Sequence, residues 1–269
     1  MVLEAIVNPY KSRKNPWEMF FVGFGYSTVA IVISLFVFTD FASLVSIFLT
    51  AMLCIPLIYN TIRLEEKKGI QAEKKFLLKE HGPTLEYFTF LFFGFIVSFT
   101  FWFVTLPPET ASSLFSVQIN TIEKINNPLT GNFINSSAVV TILLNNLKVL
   151  VFCLLFSFFF GFGAIFILAW NASVIGVAIG QYISTSLSEG LFSAVSLGFG
   201  KFILHGMPEI IAYFIAGLAG GIISIAVIRH DFGGGKFKKV LVDSVDLILF
   251  AVLILLLAAI TEVHVSSLV

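Results

Sequence analysis

Three observations predict an all-α membrane bundle of about seven transmembrane helices. Hydrophobic residues make up 58% of the 269 and charged residues only 12%, against about 45–50% and roughly 25% in a soluble domain. Mean hydropathy is +0.98. The apolar residues gather into runs near the ~20 needed for a helix to cross a bilayer. The basic residues are sorted by side: with seven crossings, thirteen of the sixteen Lys and Arg fall on one face. That sorting is the positive-inside signal.

The chain begins with a polar lead, 1–19, carrying Lys11, Arg13 and Lys14 and closed by Trp17, whose ring suits the headgroup region. The first span, about 20–38, exceeds a signal-peptide core and lacks a small-residue cleavage site after it, so it is expected to remain as an anchor. Asp40 marks a tight turn into the second span, about 41–60. Residues 61–84 are charged and helix-prone, with six basic residues, and are expected to stop at Gly82-Pro83. A solvated extension of the second span is the plain reading, and contact with anionic lipid or a docking partner is the sharper one. His81 is assigned to the helix end.

The third span runs about 85–106 and ends at Pro107-Pro108, and a polar outer loop follows over 107–137. The fourth is read as a long helix, about 138–169, with Trp170-Asn171 at its inner boundary. The fifth is short, about 172–187, with Gly176 and Gly180 spaced for close helix contact. Residues 188–204 read as a re-entrant or surface helix. The sixth span, about 206–228, and the seventh, about 240–261, are joined by a basic loop. These assignments divide the chain into a cytoplasmic lead (1–19), a three-helix part (20–106) with its cytoplasmic loop, an outer loop (107–137), a membrane core (138–262) and an outer tail (263–269). The N-terminus is expected inside and the C-terminus outside.

Several chemistries lack their signatures. Cys54 and Cys153 lie in apolar runs and read as core residues. Gly23-x-Gly25 and Gly161-x-Gly163 lack the strand–turn–helix setting of a nucleotide site. No cofactor is implied, and nothing suggests nucleic acid. The expected partners are the lipid bilayer, other membrane proteins or a second copy.

The candidate site is in the sixth span. An ionisable side chain inside a span is a functional hypothesis by default. His205, Glu209, Ala212, Ala216 and Gly220 share one helical face. The face is polar at one end and small below, and Gly217 and Gly221 run beside it. If the fourth span packs there, Asn145, Asn146 and Lys148 arrive level with His205 and Glu209, and Lys201 is near. Glycines at 161, 163, 176, 180, 217, 220 and 221 are the expected packing positions. Pro208 leaves two geometries open. A helix starting there places proline in the first turn, whereas a helix running through from Ile203 is interrupted by it.

These residues carry a resemblance. Asn145, Asn146 and Val149, the glycines 161 and 163, Asn171, Gly176, the HGxxE of His205, Gly206 and Glu209, and the small stretch Ala216, Gly217, Ala219 and Gly220 resemble the stage II sporulation protein M family of bacterial and archaeal membrane proteins. Pro208 inside HGxxE departs from the pattern. The resemblance implies an integral scaffold, since the sporulation member works with wall-degrading partners during engulfment. It supplies no activity, and fold likeness alone assigns no function. Three functions therefore stand after the sequence: a scaffold or assembly factor whose polar cluster sets helix packing, a transporter or channel component using His205 and Glu209, and an intramembrane enzyme. One His and one Glu are fewer than the three protein ligands of a catalytic zinc site, so no catalytic residue and no metal ligand is assigned.

Overall fold

The computed structural model describes residues 15–71, 77–126, 136–161, 163–186, 190–228 and 235–266, and every regular element among them is helical. In hydrocarbon a backbone must satisfy its own polar groups, which leaves helices as the natural solution for a chain this apolar. The elements are α1 (Glu18–Val37), a 3₁₀ turn (Thr39–Phe41), α2 (Ala42–Gln71), α3 (Leu77–Thr105), α4 (Pro108–Leu114), α5 (Ser116–Asn126), α6 (Ser136–Phe160), α7 (Ala164–Ser186), α8 (Leu191–Ile228) and α9 (Gly235–Ser266). Seven of them are long and apolar enough to cross a membrane: α1, α2, α3, α6, α7, α8 and α9. Several hydroxyls within these spans turn back on their own helices. Ser27 Oγ donates to the Gly23 carbonyl at 2.7 Å, Ser34 to Ala30 at 2.7 Å and Thr61 to Leu57 at 2.8 Å.

α8 is the most enclosed span and α6 the least. The strongest helix pairings are α1 with α3, α6 with α8, α8 with α9, and α3 with α7. Glycine sets the closest approaches. A Cβ on Gly23 would overlap the carbonyl oxygen of Leu91, and one on Gly94 would overlap that of Phe20. α1 and α3 therefore meet backbone to backbone. Thr28 and Ser98 add a hydroxyl pair at 3.1 Å on the same seam. A Cβ on Gly220 would overlap the Leu154 carbonyl, so α8 approaches the α6 backbone closely there. Gly217 is nearest Ala164 of α7, with Ser157 of α6 beyond it, and Gly221 is nearest Ile62 of α2. The 217/221 glycine pair thus serves two different neighbours.

Four boundaries differ from the sequence expectation. The expected helix over 138–169 breaks at Gly161, whose φ is +70°. That left-handed conformation favours glycine, and a chain without Cβ adopts it at no steric penalty. α7 consequently starts at Ala164, and Trp170 and Asn171 lie inside it, the Asn171 amide donating to the Ile167 carbonyl at 2.7 Å. The expected stop at Gly82-Pro83 does not occur. α3 begins at Leu77 and carries Pro83 within it. Of the expected re-entrant or surface stretch 188–204, whose first two residues lie outside those described, residues 191–204 form no separate segment. They are the first turns of α8, which runs 38 residues through Pro208, about 57 Å at the helical rise. These turns pack on α7, where a Cβ on Gly198 would stand 3.2 Å from the Tyr182 ring.

The fourth difference is α4 and α5, which occupy much of the stretch read as a polar loop. Pro107 and Pro108 start α4, with proline in the first turn, where its missing N–H is not needed. The turn between the two helices is deeply buried. Phe115 is fully enclosed, 6.3 Å from the Phe99 ring and 5.7 Å from the Phe103 ring. Gln118 accepts from Ser43 Oγ at 2.7 Å and donates to Ser173 Oγ at 3.3 Å. Ser173 is near the middle of α7, so this hairpin folds back among α2, α3 and α7.

Candidate functional site

Two polar clusters interrupt the apolar interior. The first joins α6, α8 and α9. Asn146 on α6 donates its amide N–H to Glu209 Oε1 on α8. Its carbonyl oxygen accepts from the Tyr213 hydroxyl at 3.1 Å. The Asn146 amide is therefore used on both sides, as donor and as acceptor. Tyr213 is one turn after Glu209 on the same face of α8 and is fully buried. The carboxyl of Glu262, near the end of α9, lies within hydrogen-bonding reach of Glu209.

Of the six residues expected in this cluster, the structure brings two together, Asn146 and Glu209. Asn145 and Lys148 stand exposed on α6, and among the described residues neither makes a hydrogen bond or ion pair. Lys201 and His205 lie on α8 between Gly198 and Glu209, but their side chains fall outside the described residues. Tyr213 and Glu262 complete the cluster without having been expected. Tyr213 carried a usable signal, the four-residue spacing from Glu209. Glu262 resembled an ordinary polar helix end.

The second cluster lies at the other end of the bundle, beside the basic loops. His81 Nδ1 is 2.8 Å from Glu65 Oε2, and both side chains are buried. His81 is thus a buried residue in the first turns of α3 that ties α3 to α2. Glu66, Thr84 and Tyr87 are buried nearby in sequence. Asp243 on α9 is within electrostatic reach of Lys239 and His81. Removing either partner of this buried His–carboxylate contact leaves the other polar group unmet, which is costly in an interior. The sequence signal, a charged stretch, pointed to solvent because the tertiary packing that buries His81 and Glu65 leaves no local pattern.

Cys54 and Cys153 are buried and unpaired by disulfide. Among the described residues, no group of three or more His, Cys, Asp or Glu side chains is placed to hold a metal ion. Gly176 meets the Ile96 carbonyl and Phe99 on α3, Gly180 meets Phe103, and Gly163 meets the Phe156 carbonyl across the α6–α7 turn. A hydroxyl bond supports the α3–α7 seam, Thr100 Oγ1 donating to the Gly176 carbonyl at 2.9 Å.

No curated protein and no solved structure matches the chain. A protein-family model does match, the one described as Stage II sporulation protein M, over residues 89–267. The match begins inside α3 and so takes in the α4–α5 hairpin, further toward the N-terminus than the motif residues of the polar cluster. It covers more than half of the chain and all the elements that build the Asn146–Glu209 contact. With seven apolar helices of spanning length, the chain is a multi-pass membrane protein that belongs to the stage II sporulation protein M family.

Proposed function

We propose that the protein is a membrane scaffold or assembly factor that docks a second membrane protein on α6, with its N-terminus on the cytoplasmic side. One observation carries this reading: α6 turns Lys148 and Asn145 outward. Lys148 is the central residue of α6, twelve residues from either end, about 18 Å along the axis. Charged groups within spans almost always face a protein interior or a water-filled cavity. On α6 they share an exposed stripe with Leu144, Val151, Phe152 and Leu155. An apolar stripe with a central amide and cation suits a partner helix that carries a carboxylate.

A second copy fits this stripe less well. A two-fold pairing is self-complementary, so an α6–α6 seam would set Lys148 near its own symmetry mate. The Asn146–Glu209–Tyr213 contact supports the same reading from the inside. It braces α6 against α8 while the neighbouring positions stay free for a partner. Interhelical polar contacts in membranes average about 0.6 kcal/mol, so they set register more than stability. His205 and Lys201 belong to the proposed cluster by their position on α8.

The test places a photo-crosslinking residue at Asn145 or Phe152 in the native membrane. Capture of a distinct membrane protein from both positions is expected. Adducts with lipid alone, or with a second copy alone, would contradict the proposal. A second reading, proton or cation handling, is favoured by one specific observation, the facing carboxyls of Glu209 and Glu262. Purified protein in vesicles should then show a pH-gradient-driven flux that Glu209→Gln abolishes, and absence of flux removes that reading.

A further inference from the structure

A cleft of about 710 Å³ lies between α3, the α4–α5 hairpin and α7, at the end of the bundle remote from the basic loops. Its size falls within the ~300–1,000 Å³ typical of small-ligand sites. Its walls are apolar, formed by Phe103 of α3, Ile119 of α5 and Ala178 of α7. Its polar groups come from one stretch of α7, led by Gln181 and Tyr182, with Ser112 of α4 opposite. No lining residue is charged. Among the described residues the Gln181 amide and the Tyr182 hydroxyl make no hydrogen bond, so both are available to a ligand. The hairpin is anchored independently by Phe115 and Gln118, which keeps the cleft from closing by simple collapse of α4 and α5 onto α7.

We propose that this cleft binds a lipid with an uncharged, hydroxyl-bearing head group, drawn from the adjacent leaflet. The apolar walls take the acyl chain. The Gln181 amide and the Tyr182 hydroxyl hydrogen-bond the head. A phosphate-headed lipid is disfavoured because the lining offers no Lys or Arg to meet a desolvated anion, and a buried charge needs such a partner. The proposal is independent of the α6 docking surface, which lies on a different helix.

The test uses a diacylglycerol bearing a photoreactive diazirine in one chain, in phosphatidylcholine vesicles holding the full-length protein. A phosphatidylglycerol with the same labelled chain is the comparison. The diacylglycerol probe is expected to label residues in 103–106 and 178–185, about tenfold above the anionic probe. Ala178→Trp, which fills the cleft, should lower that labelling about tenfold. Gln181→Leu removes a partly exposed amide without enlarging any core residue. It should lower labelling about fivefold, the loss expected for one hydrogen bond of about 1 kcal/mol, with an unchanged melting temperature. Equal labelling by the two probes overturns the proposal. So does labelling that survives Gln181→Leu, or labelling no stronger than that of the exposed α6 stripe.

Discussion

Asn146 is the residue on which the distal polar cluster turns, because it alone satisfies two partners from α8. Asn146→Leu leaves the Tyr213 hydroxyl and the Glu209 carboxyl short of one partner each. An unmet buried polar group costs about 1–3 kcal/mol, so a clear fall in detergent melting temperature is expected. Glu209→Gln retains shape and an acceptor oxygen, and should melt within about 0.5 kcal/mol of the parent, the range of mild substitutions. Comparable losses for both variants would show that the contact is not a hydrogen-bonded clasp. Part of this cluster was legible in the sequence, because a carboxylate in an apolar run stands out whatever the fold. Its membership was not. Lys148 and Asn145 neighbour Asn146 in sequence, yet the 100° step of the helix turns them away from α8. Glu262 enters only through the pairing of α8 with α9, which no local pattern encodes.

At the scale of elements, glycine decides which helices touch and where they end. Gly220→Leu should destabilise by about 1–3 kcal/mol, the usual range for overpacking, because its side chain meets the Leu154 backbone, which cannot rotate away. A Cβ on Gly25 would meet nothing within 4 Å, so Gly25→Leu should leave the melting temperature unchanged. Similar behaviour of the two variants would refute the backbone contact between α6 and α8. Gly161→Ala tests the α6–α7 turn, where a positive φ disfavours any Cβ, and should lower stability by about 1 kcal/mol. The break at Gly161 was hard to read because both flanks are equally apolar, so composition alone suggests one helix. The α4–α5 hairpin had a signal that polarity obscured. Ala111, Leu114, Phe115, Ile119 and Ile122 recur at helical spacing, and all are buried except the half-buried Ile119. The Asn, Ser and Thr between them carried the polar-loop reading.

For the whole molecule, the number of spans was legible because length and hydropathy set it directly, and bilayer thickness leaves little freedom. The proposed orientation rests on the thirteen bases of one face and is checked by accessibility labelling. Asn120→Cys should react with an impermeant reagent only from outside and Ile70→Cys only from inside, and reaction of both from one side would reverse or refute it. The proposed role of this stage II sporulation protein M family member is to hold a partner on α6. Its most direct test is quantitative mass spectrometry of proteins crosslinked and co-purified from native membranes with the parent chain, with Lys148→Glu and with Glu209→Gln. A single membrane partner enriched by the parent, retained by Glu209→Gln and lost about tenfold or more by Lys148→Glu is the predicted result, since a reversed charge at a buried pair typically removes at least ~1.4 kcal/mol. A partner set unchanged by Lys148→Glu, with all three proteins equally well folded, would contradict it.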